Sequence, residues 1–341
     1  MPLHARSPQN TAARLFALGD GGPVRVATAL DAGITRGALR AAVAAGLLVS
    51  VRHGVVAVAS PRDLQRSLTE RCQDLAARRP SLIFCHQTAA ALLEQPLLRD
   101  DAPLIRAYGT HSARGADVLV RKAQIPEDHM VEVDGLRVTS PLRTALDLAR
   151  ELTLPEALIP LDAALRTVLL QARSGCGLPD HLAVESRSHQ LDVHLEAERV
   201  LQSLRHLHGA RQARKALAVS SPLAESPAES ASRGHLLLAG LPPVGLQVRV
   251  LDGDGCERRL DFLLAPGLAG EVDGFVKYEG DPGGHAARKE KRRDLALQRG
   301  GTFTVRWSAE ESFWKPQTVI RVVRHALIAH GGTATSHRGI A

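Results

Sequence analysis

The stretch from Pro227 to His330 limits the fold most tightly, because apolar runs of strand length alternate there with longer helical stretches in a fixed order. Ser226 as cap and Pro227 in the first turn predict a helix to about Ala239, stopped by Gly240 and Pro242. Leu246–Leu251 reads as a strand and Asp252-Gly253-Asp254-Gly255 as a turn. Arg258–Leu264 is a second strand, Ala265-Pro266-Gly267 a tight connection and Leu268–Asp273 a third strand. A helix is expected over Ala286–Arg299, broken by Gly300-Gly301, then a strand over Thr302–Trp307 and a helix over Pro316–His330. The order is αβββαβ, closed by a further helix.

Strand alternation then places the carboxylates. In the second strand Asp261 lies on the face opposite Leu260, Phe262 and Leu264; in the third, Glu271 and Asp273 share a face. With residues 265–267 as the connection, Leu264 pairs with Leu268 and Asp261 falls opposite Glu271. Such neighbours have Cβ atoms roughly 4.5–5.5 Å apart. Two carboxylates that close repel, so either one is protonated or a cation lies between them. Mg2+, with Mn2+ as the alternative, takes oxygen ligands, which makes Asp261 and Glu271 candidate metal ligands and Asp273 a candidate to position the metal or a water. If the strand continues past Gly274, Lys277 shares the face of Glu271 and can orient a water or stabilise developing charge; otherwise it is a solvated strand end. Glu229 is either the third-residue partner in a Ser-x-x-Glu capping box or an additional metal or water ligand.

Arg288, Lys289, Lys291, Arg292, Arg293 and Arg299 face only Glu290 and Asp294 across the helix 286–299. Ala286, Glu290, Arg293 and Leu297 form one stripe. If that stripe meets the sheet, Glu290 and Arg293 approach the carboxylates while Arg288, Lys289 and Arg292 are offered to phosphates. An ordinary solvated helix is the alternative.

Upstream, residues 11–60 read as three helices (Thr11–Leu18, Val24–Asp31, and Arg36–Ala45 capped by Thr35) followed by a hairpin of Leu47–Val51 and Val55–Ala59 turning at His53-Gly54. That is the pattern of a winged helix. Thr35, Arg36 and Arg40 would face a major groove of double-stranded DNA, and Arg52 and His53 would form the wing tip. A small helical domain that binds protein is the other reading. Residues 81–170 read as a central mixed α/β domain, with Asp134-Gly135 as a hairpin turn and Ser140-Pro141 opening a helix. Residues 171–225 form a helical connector, with a helix over Gln190–His208 and a Ser/Pro/Ala linker at 220–226; residues 226–330 are the last domain.

Composition narrows the function classes. Lys+Arg 43 against Asp+Glu 36 gives +7, but with 6 Lys and hence 37 Arg, Arg-rich coding alone could produce it, so charge location carries the argument. Cys72, Cys85, Cys176 and Cys256 form no CxxC pair, which argues against a cysteine zinc module or disulfide framework and for a reducing cytoplasm. The absence of a long apolar run and of a signal-peptide core argues against a membrane protein. Ten aromatic residues (2 Trp, 2 Tyr, 6 Phe) are too few for single-strand binding by stacking.

Two resemblances follow from these strings. Arg259-Leu260-Asp261-Phe262, Gly270-Glu271-Val272-Asp273-Gly274-Phe275-Val276-Lys277-Tyr278, Glu290-Lys291-Arg292-Arg293 and Val305-Arg306-Trp307 resemble the restriction-endonuclease-like domain of very-short-patch repair endonucleases, within the PD-(D/E)xK superfamily. The resemblance covers about 226–310. It implies Asp261 and Glu271 as the acidic pair, Glu229 as the upstream acid and Mg2+-dependent cleavage of DNA. The superfamily's acid-x-Lys position holds Asp273 here, with Lys277 as the candidate replacement. Ala32-Gly33-Ile34-Thr35-Arg36 through His53-Gly54-Val55, and Val138-Thr139-Ser140-Pro141-Leu142-Arg143-Thr144-Ala145-Leu146-Asp147, are similar to AbiEi-type antitoxin and regulator proteins. That implies operator binding by the winged helix, repression, and a cognate toxin or self-association as partner.

Overall fold

The computed structural model describes residues 8–19, 22–45, 47–52, 54–58, 67–99, 104–115, 117–174, 179–274 and 285–331. Lys277 and His53 lie outside them, and Arg52, Arg288 and Lys289 are described by backbone alone. The chain is a mixed α/β protein that divides into two compact units, residues 1–94 with 99–140, and 95–98 with 141–341. Among the described residues no helix is long and apolar enough to cross a membrane.

The first unit begins with α1 (Pro8–Leu18), β1 (Val24–Arg25), α2 (Val26–Asp31), α3 (Arg36–Ala44), β2 (Leu48–Arg52) and β3 (Val55–Val58). Thr35 caps α3, its Oγ1 accepting from the Ala38 N–H at 3.2 Å. One element differs from expectation. Val24–Arg25 is a strand rather than the first turn of a helix, because it adds to the hairpin edge with Val24 opposite Val56 and Arg25 opposite Val55. The sheet order is therefore β1-β3-β2. Leu15, Ala29, Ile34, Leu39, Ala42, Leu48 and Val56 form the core beneath it, from residues at helical and alternating spacing.

The same unit continues with α4 (Leu68–Arg78), β4 (Ile83–Phe84), α5 (His86–Leu92), β5 (Ile105–Gly109), β6 (Ala113–Arg114), β7 (Val118–Lys122), β8 (Met130–Val133) and β9 (Leu136–Thr139). These strands form one sheet of order β6-β7-β5-β4-β9-β8. It is mixed: β5 runs parallel to β7 and β4 to β9, the remaining pairs antiparallel. Asp134 (φ 49°) and Gly135 (φ 76°) both occupy the left-handed region, as a two-residue hairpin turn of this kind requires.

The second unit opens with five helices: α6 (Pro141–Ala149), α7 (Leu154–Arg173), α8 (Asp180–Glu185), α9 (Arg187–Ser203) and α10 (Ala210–Ala218). Their shared core includes Leu146, Leu161, Leu165, Leu169, Val193, Ala197, Leu201 and Leu217. The 220–226 run is bound rather than loose. The Ser221 N–H donates to Asp162 Oδ1 at 2.8 Å, and Arg166 Nη1 donates to the Pro222 carbonyl at 3.2 Å. Asp162, 1% exposed, also takes Ser230 and Arg233 from the following helix, so a buried carboxylate fixes this segment.

That helix is α11 (Pro227–Leu238), followed by β10 (Gly245–Leu251), β11 (Glu257–Ala265), β12 (Leu268–Asp273), α12 (His285–Arg299), β13 (Phe303–Ser308), α13 (Ala309–Trp314) and α14 (Pro316–Ala329). The sheet order is β10-β11-β12-β13, with only the β12–β13 pair parallel. Phe262 opposes Gly270 and Leu263 opposes Ala269, the expected register, but at the tip Ala265, not Leu264, pairs with Leu268. Leu264 is the bulge residue, because Pro266-Gly267 closes the hairpin with Gly267 at φ 73° and needs only two residues. Phe262, Leu264, Leu268, Trp307, Leu236 of α11 and Val319 of α14 form the main core; Leu260 and Ala269 meet Leu297 of α12.

Candidate functional site

The ladder registers align a row of polar residues across this sheet. Gln247 and Asp261 occupy the positions between the pairs Leu246–Phe262 and Val248–Leu260. Asp261 and Glu271 are the next positions after Phe262–Gly270. Glu271 then opposes Arg306 on β13. Gln247, Asp261, Glu271 and Arg306 thus follow one another across four strands. Asp261 is further held by the Val272 N–H, which donates to Oδ2 at 3.0 Å.

Glu229 enters from α11, three residues after the N-cap Ser226, and its carboxylate is held there by Ser226, the Glu225 N–H and Gln247. The Glu229 N–H donates to Ser226 Oγ at 3.2 Å, and Ser226 Oγ donates to Glu229 Oε1 at 2.7 Å. Glu229 Oε2 accepts from the Glu225 N–H at 3.0 Å and from Gln247 Nε2 at 2.9 Å. Gln247, buried in β10 at φ 51°, therefore links Glu229 to the row.

The stripe on α12 does meet the sheet. Arg293 Nη2 donates to Glu271 Oε1 at 2.8 Å and to the Arg259 carbonyl at 3.0 Å. Arg306 Nη2 lies 2.7 Å from Glu271 Oε2 and 2.9 Å from Asp294 Oδ1. Its Nη1 lies 2.8 Å from Asp273 Oδ1 and 2.6 Å from Glu290 Oε1. Four carboxylates thus converge on one guanidinium, and a second guanidinium holds the remaining oxygen of Glu271.

Burial pushes the carboxyls of Asp261, Glu271 and Glu229 above the usual carboxylate range. For Glu271 the nearby Arg293 and Arg306 oppose that push, and the charge of Asp261 adds to it. For Asp261 the Val272 N–H and Arg293 oppose it. The Arg306 guanidinium is held more firmly protonated than usual, its acidic neighbours outweighing its burial.

This donor set does not fit a divalent cation. Both Glu271 oxygens face guanidinium groups, both Glu229 oxygens accept hydrogen bonds, and Asp273 is paired with Arg306. Among the described residues no group of three His, Cys, Asp or Glu side chains is placed to hold a metal ion. Of the two carboxylates, Glu271 is the one paired with arginine.

The expected DNA-facing residues are arranged differently. Thr35, Arg36 and Arg40 on α3 are exposed, and the two arginines have no carboxylate partner among the described residues. Arg25 and Arg36 line a cleft of about 640 Å³ between α2, the start of α3 and the hairpin residues Gly54 and Val55. On α12, Arg292 is exposed, whereas Arg293 is turned to the sheet.

Sequence reading missed two members of the cluster, Arg306 and Gln247. Arg306 had a signal: a lone cation within the apolar strand Phe303–Trp307, in a strand following a helical crossover from β12. Gln247 had none, since one polar residue in an edge strand is ordinary.

A model of the protein family described as "AbiEi antitoxin C-terminal domain" matches residues 85–174. That span runs from α5 through the last five strands of the six-stranded sheet into α6 and α7. The comparison with curated proteins returned no match.

Proposed function

We propose that this chain is a DNA-binding regulator of the antitoxin type, with a cognate toxin as its protein partner. The observation that carries the reading is the match of residues 85–174 to the AbiEi antitoxin domain. The N-terminal elements support it. Three helices followed by a hairpin suit a winged helix, and α3, capped by Thr35, carries exposed Arg36 and Arg40 without internal counter-charges. Such cations neutralise phosphates and release counterions, whereas paired ones cannot. Arg25 and Arg36 at the cleft suit backbone contacts flanking the groove.

The αβββαβ order of the C-terminal sheet suits a restriction-endonuclease-like domain that binds without cutting. A metal-dependent deoxyribonuclease using Mg2+ or Mn2+ at Asp261 and Glu271 is the second reading, favoured by the row of acids alone. It requires Arg293 and Arg306 to leave Glu271 first.

The test is footprinting of the full chain on the DNA upstream of its own gene, in EDTA. A protected site, weakened in Arg36→Ala/Arg40→Ala, is expected. Equal affinity for that DNA and for an unrelated duplex of the same length contradicts operator recognition, and binding to neither makes the N-terminal elements a protein-binding unit.

A further inference from the structure

We propose that Arg306 is the resident cation of the C-terminal acidic cluster, and that its removal converts the cluster into a metal-binding site. The inference stands apart from DNA binding by the N-terminal unit.

Three observations carry it. The first is position. β13 runs parallel to β12 with Arg306 directly opposite Glu271, so the guanidinium is delivered by the ladder itself. The second is coordination. Glu271, Asp273, Glu290 and Asp294 come from two different elements, β12 and α12, and converge on the two terminal nitrogens at 2.6–2.9 Å. Oxygen ligands gathered from separate elements around one positive centre are what a hard divalent cation also selects. The third is the orphan donor. Arg306 Nε is buried without a hydrogen-bond partner, so this side chain is held by its charge at the terminal nitrogens rather than by full satisfaction of its donors.

The substitution has a clear electrostatic logic. Glu271 is 4% exposed, and guanidinium groups face both of its oxygens. Without Arg306, four carboxylates share one space, with Arg293 touching only Glu271 among them. Like charges that close either take up protons or take up a cation. At neutral pH and millimolar divalent ion, the cation is the expected outcome. The charged side chains facing Arg306 are those four acids, with Arg293 and Asp261 around Glu271.

The experiment uses the full-length chain and counts free Mn2+ by its paramagnetic resonance signal. Wild type, Glu271→Gln, Arg306→Ala, Arg306→Lys and Arg306→Ala/Glu271→Gln are compared, with thermal unfolding in parallel. Wild type and Arg306→Lys should leave the free Mn2+ signal at the level of a Glu271→Gln control. Arg306→Ala should withdraw one further Mn2+ per chain, at least about tenfold tighter than wild type. Its unfolding temperature should be below wild type and rise with Mn2+. The double variant should lose both effects. Arg306→Gln, which keeps the length and a hydrogen-bonding head, replaces Arg306→Ala if that chain does not fold. A site-specific Mn2+ on wild type, abolished by Glu271→Gln, overturns the proposal. A folded Arg306→Ala or Arg306→Gln chain that binds no more Mn2+ than wild type also overturns it.

Discussion

In the N-terminal unit Arg36 and Arg40 stand on an exposed helix beside a small sheet, with no carboxylate partner among the described residues. In the C-terminal unit Arg293 and Arg306 stand beside another sheet, and each is turned onto a buried glutamate. Both regions count as basic by residue type. Residues 8–58 carry five Arg against two Asp, and the helix 286–299 carries six cations against two acids. The difference lies in what the cations meet. A guanidinium already shared among carboxylates contributes little to phosphate binding, whereas one left to solvent keeps its full charge for a partner. The overall +7 describes neither region.

Reversing charge on α3 should have the largest effect. Arg36→Glu/Arg40→Glu is expected to weaken duplex binding about 100-fold and to lower the salt dependence by about two counterions, with unfolding unchanged within about 0.5 kcal/mol. Isothermal titration at several salt concentrations reads both quantities, and an unchanged affinity removes the contrast between the regions.

Glu271→Gln probes the other side. It leaves two guanidinium groups facing a neutral amide, and should cost about 2 kcal/mol in chemical unfolding, below the usual range for buried pairs because the arginines are partly exposed. A stabilised variant would mean that burial of Glu271 outweighs its pairing.

Ser226→Ala is smaller, about 1 kcal/mol, the usual effect of losing a helix cap. A loss several times larger would show Ser226 acting on the acidic row through Glu229, beyond its capping bond.

The smallest effect is in pH. Burial raises the folded-state pKa of Asp261, so the folded chain binds its proton more tightly than the unfolded chain does. The stability this group contributes is present below its unfolded value, about 3.9, and is lost as pH rises through the raised folded value. The difference in stability between wild type and Asp261→Asn should therefore move against wild type as pH rises across that window. A difference that moves the other way shows that Arg293 and the Val272 N–H outweigh burial.

Much of this arrangement was legible in the chain. Pro266-Gly267 and Asp134-Gly135 announce their hairpins, Ser226 and Thr35 their caps, and strand alternation sets Asp261 beside Glu271. The tip of the β11–β12 hairpin was off by one residue because Pro-Gly turns tightly enough to leave Leu264 as a bulge. Val24–Arg25 was read as helix because its strand pairing depends on β3, some thirty residues on, which local pattern does not report. The nature of the cation between the acids was also out of reach. Alternation predicts that two carboxylates need a positive neighbour, but only the parallel register of β13 sets Arg306 against Glu271, and only the packing of α12 brings Arg293 to it.

The central claim is that the cations of the C-terminal sheet are held internally while those of α3 are free to bind DNA. Incubating supercoiled plasmid with the full chain and Mg2+ or Mn2+, then resolving it on native and denaturing gels, tests it most directly. The account predicts retarded but unbroken plasmid, with retardation lost in Arg36→Glu/Arg40→Glu. Nicking by wild type that disappears in both Asp261→Asn and Glu271→Gln would contradict it.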